Sequence, residues 1–402
     1  MSEKRLTQHL LLPELRFVKH HHRKRNQFIE CIKVSDFEVC PTCATKSSKV
    51  YDHRFVTPRD QPIRSGTVIL KIKKRRFKCQ NIECAKVFTE PVSGIRKGFR
   101  TTQRFRSCLR DYATKYMNLK AVRKDLKVSS STVYKAFYEQ IELELRKSAN
   151  EWPKTIGIDK HCFNRNVSGH SREFVTVFVD YSNKRMKEVV LGKSINDLMS
   201  SSIVDIKGRE NVKNVIVDLS PTFRSFAMDF FPNARLIADH FHVVKLMHPR
   251  LNELRKTVVD DYQFPRSRKN PINKLIYKSR RKLKHHQKRV IHEFLKCNDE
   301  LKELYHFQQR LYRMYQVRGY KRAKKALFSL LDDMARSEFK KTRSYRQTLF
   351  KWRYEILNYF CTSKLNNGRT EGYNCKAKLI QRCAYGFRSF RNYRLKLLYH
   401  CR

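Results

Sequence analysis

NVIVDLS, residues 214–220, is a short apolar run that stops on an acid, Asp218. A continuous apolar run bounded by a polar turn reads as a strand buried on both faces. TIGID, residues 155–159, has the same form and stops on Asp159. Between them lie the alternating run EFVTVFVDY (173–181), the polar turn SNKR, the run MKEVVLG and an amphipathic helix near 195–205; NARLIAD (233–239) follows. The element order β, β, β, α, β, α, β, then helices, predicts an α/β fold, α+β over the whole chain. A strand that returns through a helical crossover lies parallel to its partner. With the fourth strand beside the first, Asp159 and Asp218 end side by side, about 5 Å apart.

Two carboxylates that close repel, and one takes up a proton unless a cation lies between them. Hard divalent ions suit such a site, and Mg2+ leaves room for phosphate oxygens. Two ions about 3.5–4 Å apart clamp the attacking and leaving oxygens of a phosphodiester. A two-ion site needs a third carboxylate, and LNNGRTEGYNCKAKLIQR (365–382) offers one. Beyond Glu355, Glu371 is the only acid, set among ten Lys and Arg between Lys364 and the C-terminus. Asp159, Asp218 and Glu371 are therefore the candidate catalytic and metal-binding residues. Gly372 would permit close backbone approach. Asn374 and Lys378 share the helical face of Glu371 and, with Arg382, are candidates to hold the strand being cut.

The cysteines Cys40, Cys43, Cys79 and Cys84 read C-x2-C, a gap of 35 residues, then C-x4-C. Four thiolates in two close pairs predict one closed, structural zinc site. The basic alternating strand GTVILKIKKRRFKC (66–79) would bring the second pair back to the first. HHH at 20–22 precedes RKR and reads as a polybasic surface tract.

Residues 100–148 read as three helices. LKAVRKDLKVSSSTVYKAFYEQI (119–141) has the form helix, tight turn, helix, with Ala121, Leu126, Val128, Val133 and Phe137 as an apolar seam. Ser129 or Ser130 is a natural cap. Ser130, Ser131, Thr132 and Lys135 open the second helix and can reach bases and phosphates. Lys127 stands where a turn of this kind favours Gly. A plain three-helix packing module is the alternative.

The charge supports a polyanionic partner. Lys and Arg number 88 against 37 acids, a net charge of +51 over 402 residues. Such an excess self-repels unless nucleic acid shares it. Residues 262–292 hold eleven Lys or Arg and no acid, and read as a helix tracking phosphates, with Leu275, Ile276, Leu283 and Val290 as its apolar positions. Trp352 either stacks on an unpaired base or fills the core. Hydrophobic content of 40% excludes a largely disordered chain. The opening MSEKRLTQHLLLPELRF is too interrupted for a signal peptide, and no run is long enough for a membrane span. Twelve scattered cysteines argue against a disulfide framework. The chain reads as intracellular, with no small-molecule substrate.

At these residues the chain resembles insertion-sequence DDE transposases of the ISL-three group. The resemblance rests on RRFKCQNIECAKVFTE, DLKVSSSTVYK, IGID, VIVDLSPTFRSFAMDFFPNARLIADHFHVVKL and NNGRTEGYNCKAKLIQRCAYGFRSFRNYRLKLL. It implies a zinc-binding module (1–95), a helix-turn-helix (96–150) and a ribonuclease-H-like catalytic domain (151–402) with a helical insertion near 243–361. It also implies a metal triad of Asp159, Asp218 and Glu371, with two Mg2+ ions or Mn2+ in their place. The reaction would be cleavage and strand transfer of double-stranded DNA at terminal inverted repeats, by a homodimer or larger assembly in the bacterial cytoplasm, at the nucleoid. Lys160 departs from the pattern, since relatives often carry an acid after the first Asp. Asp239 and His242 resemble a D-x-x-H motif of related transposases; Asp239 either orients phosphate or water, or caps the following helix. A DNA-binding regulator with an inactive core and a structure-specific nuclease are the other readings.

Overall fold

The computed structural model describes residues 12, 14–64, 66–116, 118–147, 151–164, 172–262, 270–362 and 364–402. Residues 1–11 of the N-terminal stretch discussed above, and 263–269 of the basic run, lie outside them. Contacts divide the chain into two compact units, Met1–Lys147 and Ser148–Arg402. Among the described residues no helix is long and apolar enough to cross a membrane.

The first unit is organised by one long strand. Its strands are β1 (Leu15–Arg23), β2 (Asn26–Lys33), β3 (Glu38–Val39), β4 (Lys46–Ser47), β5 (Val50–Val56), β6 (Arg59–Ile63), β7 (Gly66–Lys78) and β8 (Val87–Thr89). β7 pairs with β2 in parallel and with β5, β6 and β8 antiparallel. Its alternation puts Val68, Leu70 and Ile72 on a buried face with Leu15, Ile29 and Cys31, while Ile69 and Lys71 between them are half-buried on the other face. The histidines 20–22 lie on β1 and are exposed.

Three helical segments follow: α1 (Gln103–Lys115), α2 (Leu119–Leu126) and a continuous rod made of α3 (Ser130–Tyr134), a π-helical stretch (Lys135–Glu139) and α4 (Gln140–Lys147). Each start is capped as the sequence dictates. Thr102 accepts from Phe105 N, Asn118 from Lys120 N, and Ser129 from Thr132 N. Lys127 adopts φ 50°, the left-handed conformation that ends α2 without a glycine. Arg59 of β6 reaches the carbonyls of Leu126 and Lys127 and so ties that turn to the sheet.

In the second unit the strands β9 (Thr155–Asn164), β10 (Glu173–Asp180), β11 (Arg185–Leu191), β12 (Asn214–Val217) and β13 (Arg235–Ala238) form one mixed sheet in the order β11-β10-β9-β12-β13. β12 lies parallel to both β9 and β13, and β10 is antiparallel to its neighbours. Val215, Ile216 and Val217 are fully buried, each contributing roughly 1.5–3 kcal/mol of burial. β12 is therefore the central strand that its continuous apolar run predicts.

Two helices link these strands. α5 (Ile195–Met199) is shorter than the predicted 195–205. It ends because Ser200 and Ser201 turn their hydroxyls onto the carbonyls of Asn196 and Leu198, competing with the helical ladder. α6 (Pro221–Phe230) buries Phe223, Phe226 and Phe230 on the sheet.

Between His240 and residue 361 the described residues form mainly helices: α7 (His240–Lys245), α8 (His248–Asp261), α9 (Ile272–Leu275), α10 (His285–Leu295), α11 (Asp299–Met314), α12 (Tyr320–Ala335), α13 (Lys340–Lys351) and α14 (Arg353–Asn358). Their apolar faces join the same core as the sheet. Trp352 is 2% exposed, a core aromatic with Arg224 over its ring. The basic stretch 262–292 is not one helix. Gln309 of α11 accepts from Arg280 N and donates to Lys278 O, replacing helical bonds between α9 and α10. Leu275, Ile276 and Leu283 remain buried, but Val290 is exposed. The chain closes with α15 (Gly368–Cys383) and α16 (Phe390–His400).

Candidate active site

The acids meet where the central strand β12 ends beside β9. Register between β12 and β9 runs Asn214 to Thr155, Val215 to Ile156 and Ile216 to Gly157. Two residues on, Asp218 and Asp159 stand at the same level. The expectation that β9 stops at Asp159 is corrected: it continues to Asn164, held by β10, while β12 ends at Val217. Asp159 thus lies in mid-strand, at the point where its neighbour stops and leaves an opening.

Asp159 Oδ1 accepts from Lys160 N at 2.7 Å and Oδ2 from Asn374 Nδ2 at 2.8 Å. Burial raises its pKa above the usual carboxylate range; the Lys160 amide opposes that rise, and the nearby Asp218 adds to it. Asp218 Oδ2 lies 3.5 Å from the Lys160 ammonium. Its Oδ1 is buried and has no hydrogen-bond partner among the described residues. An orphaned anionic oxygen beside a second carboxylate is the donor set that a hard cation completes, so these residues fit a divalent ion.

Glu371 sits in the first turn of α15, and that helix is fastened to the sheet along its length. Asn367 N donates to Asp239 Oδ1 (3.1 Å), and Arg369 to the Tyr181 carbonyl (2.6 Å). The hydroxyls of Tyr181 and Thr370 are 3.0 Å apart. Farther along, Gln381 Nε2 donates to Phe163 O at 2.7 Å. The close approach to the sheet is made at Gly157 of β9, not at Gly372, where an added Cβ would meet nothing within 4 Å. Among the described residues, the four cysteines are the only group of three or more His, Cys, Asp or Glu ligand atoms lying within 4.8 Å of one another. Asp159, Asp218 and Glu371 are therefore spread more widely than a single shared ion requires.

Asp239 follows β13 and is 1% exposed. It occupies the position before α7 but makes no capping bond from its side chain. Instead Oδ2 bonds His242 Nδ1 at 2.8 Å while Oδ1 receives the Asn367 amide. The bond to Asp239 raises the pKa of His242 against the effect of burial, and Asp218 and Asp159 raise it further. Burial lowers His240, against the pull of Asp239 and Glu371. When protonated, His242 would be drawn to the same carboxylates as a cation.

The remaining strand-contact candidates divide. Lys378 and Arg382 are exposed on α15. Asn374 is turned inward, 6% exposed, with Oδ1 on His161 Nδ1 (2.9 Å) and Nδ2 on Asp159. Ser130, Ser131 and Lys135 are exposed on α3 and the π-helical stretch after it, and Thr132 is half-buried. Ser129 Oγ bonds both Ser131 Oγ (3.0 Å) and Thr132 Oγ1 (2.8 Å).

The zinc ligands converge at one end of β7. Cys40 Sγ lies 3.8 Å from Cys84 Sγ, and Cys43 Sγ lies 3.4 Å from Cys79 Sγ. Zinc–sulfur bonds of about 2.3 Å in a tetrahedron put sulfurs about 3.8 Å apart, so the four thiols fit the ion. Phe77 and Phe88 pack beside them.

Sequence reasoning missed Gly157, Tyr181, Asn367, Thr370, His161 and Tyr393. Period-two alternation puts His161 on the face of Asp159, a usable signal. Nothing in the sequence marks Tyr393.

The chain is similar to known transposases. A family model described as a transposase matches residues 156–397. A second, described as the zinc-finger of transposases IS204, IS1001, IS1096 and IS1165, matches residues 36–84. The transposase for insertion sequence element IS1001 from Bordetella parapertussis is 22% identical over 366 residues, covering 89% of this chain and 87% of its own length.

Proposed function

The chain belongs to the DDE transposases of the ISL-three (ISL3) group and carries their N-terminal zinc module; from that premise we propose that it binds the terminal inverted repeats of an insertion sequence and catalyses strand cleavage and strand transfer. The observation that carries this reading is the pairing of β12 with β9, which puts Asp218 level with Asp159. Its core is then ribonuclease-H-like, with residues 243–361 as the helical insertion.

Asp159, Asp218 and Glu371 would hold two divalent ions, Mg2+ or Mn2+, which supply a Lewis-acid clamp on the attacking and leaving oxygens of the phosphodiester. A two-ion site accommodates acids spread more widely than one ion does. Asn374 fixes the direction of the Asp159 carboxylate, and Asp239 fixes the start of the helix bearing Glu371. Lys378 and Arg382 lie exposed on that helix and hold the scissile strand by its phosphates. His242, paired with Asp239, orients phosphate or water at the opening.

Water cleaves the element end, and the freed 3′-hydroxyl then attacks the target, an in-line exchange of one phosphodiester for another with no protein-bound intermediate. The zinc module (1–95) and the helices of 96–150, working as a helix-turn-helix, read the ends through Ser130, Ser131, Thr132 and Lys135. Two ends joined in one event imply a homodimer or larger assembly on DNA, acting at the bacterial nucleoid.

The test is nicking of DNA bearing the element ends with Mg2+. Asp218→Asn binds the ends without cutting them; normal cutting by that variant sinks the assignment. The Lys160 ammonium beside Asp218 favours a second reading, a DNA-binding regulator with an inert core. Metal-dependent cleavage by the wild-type chain separates the two.

A further inference from the structure

A buried row of hydrogen bonds runs behind Asp159. Asn374 Nδ2 donates to Asp159 Oδ2 at 2.8 Å, Asn374 Oδ1 meets His161 Nδ1 at 2.9 Å, and His161 Nε2 meets the Tyr393 hydroxyl at 2.6 Å. The members come from three elements: Asp159 and His161 from β9, Asn374 from α15, Tyr393 from α16. Asn374, His161 and Tyr393 are at most 6% exposed.

The polarity of this row is set from one end. An ionised carboxylate only accepts, so the amide nitrogen of Asn374 must face it and the amide oxygen must face His161. That oxygen requires N–H at His161 Nδ1. In the neutral ring Nε2 is then a bare acceptor, and the Tyr393 hydroxyl donates to it. Every donor points toward Asp159. Were the amide reversed, an oxygen would face the carboxylate.

We propose that Tyr393 and His161 are positioning residues of the active site: through Asn374 they lock the Asp159 carboxylate in its metal-receiving direction and set the rotation of the Glu371 helix. Asn374 lies one turn after Glu371 on α15, so the bond that aims Asp159 also fixes which way Glu371 faces. Outer partners of this kind orient ligands, and their loss costs about 10–100-fold in metal affinity or activity. This inference rests on Asp159 being a metal-binding carboxylate.

The experiment titrates Mn2+ into the full-length, zinc-loaded protein by calorimetry and measures cleavage of end-bearing DNA alongside. Tyr393→Phe removes one oxygen and keeps the ring against Phe163 and Phe387, 5.0 and 5.1 Å between centroids, so the fold survives. It is expected to weaken Mn2+ binding and slow cleavage by about 10-fold, with DNA affinity unchanged. His161→Phe does the same. His161→Asn, which restores an N–H donor near the Nδ1 position, recovers most of the loss.

Wild-type Mn2+ affinity in folded Tyr393→Phe and His161→Phe overturns the inference and leaves the transposase reading standing. An Asn at 161 as damaging as Phe overturns it too, since packing rather than the hydrogen bond would then be at work. Mn2+ binding that does not depend on Asp159 removes the metal reading, and the inference with it.

Discussion

Gly157 lies directly against Thr370, so closely that a Cβ on the strand residue would fall 2.3 Å from the threonine Oγ1. The ring of Tyr181 and the amide oxygen of Asn367 close the same space at 2.7 and 3.1 Å. Thr370 immediately precedes Glu371, so this contact sets the distance of the third acid from β9. In Gly157→Ala the first turn of α15 has to retreat, at a cost of about 1–3 kcal/mol in overpacking. The expected result is a lower Tm and a large fall in DNA cleavage, with end binding retained. Adding Thr370→Ala removes the nearest atom and should return part of the Tm. Full activity in the single variant would contradict the packing.

The orphaned Oδ1 of Asp218 and the raised pKa of Asp159 make the metal-free site a liability that a cation relieves. Mg2+ or Mn2+ should therefore raise the unfolding temperature of the second unit, by an amount corresponding to about 2.7 kcal/mol at one hundred times the Kd. Asp159→Asn and Asp218→Asn should each lose most of that shift. A thermal melt with and without the ion reads it directly, and an unchanged shift in both variants would separate the ion from this pair.

How far the site could be read in the sequence depends on where each interaction is encoded. The level placement of Asp159 and Asp218 was legible because continuous apolar runs specify buried strands and the crossover rule sets those strands side by side, although β9 runs on past Asp159. The cysteines were legible because a closed zinc site demands paired spacing. The rest is packing between residues distant in the chain. Gly157 touches Thr370 across 213 positions, and no local pattern marks a strand glycine as a docking point. Asn374 and Lys378 share a helical face by spacing, yet only the position of β9 decides that one turns inward and the other out. The break of the basic stretch before α10 is imposed by Gln309, a side chain from another helix.

Burial lowers the pKa of His161 to about 4, whereas the unfolded chain titrates near 6.5. A depressed folded value means that the unfolded state binds the proton first. Stability is then complete above about pH 6.5 and falls as the pH drops toward 4. For this one group the loss between pH 7 and 5 is roughly 2 kcal/mol. Denaturant unfolding at the two pH values should show it, and His161→Asn should flatten that part of the dependence. An identical slope in the variant would mean that the ring takes up its proton without cost in the folded state.

The zinc site is built into the end of β7, between Cys79 and the buried pair Phe77 and Phe88, whereas the cluster of Val68, Leu70 and Ile72 lies farther along the strand. Zinc should hold the two cysteine loops, while the apolar cluster holds the sheet. A strong chelator should therefore release one zinc per chain and open Cys40, Cys43, Cys79 and Cys84 to a thiol reagent. Cys31, 1% exposed in the sheet core, and Cys401, fully buried in the second unit, should stay protected. Cys79→Ser, which removes a ligand but keeps its size, should lower zinc affinity and abolish specific end binding while leaving Mn2+ binding at Asp159 and Asp218 intact. Metal analysis that finds no zinc in the wild-type chain, or thiols that react equally before and after chelation, would show that the four sulfurs meet for some reason other than an ion.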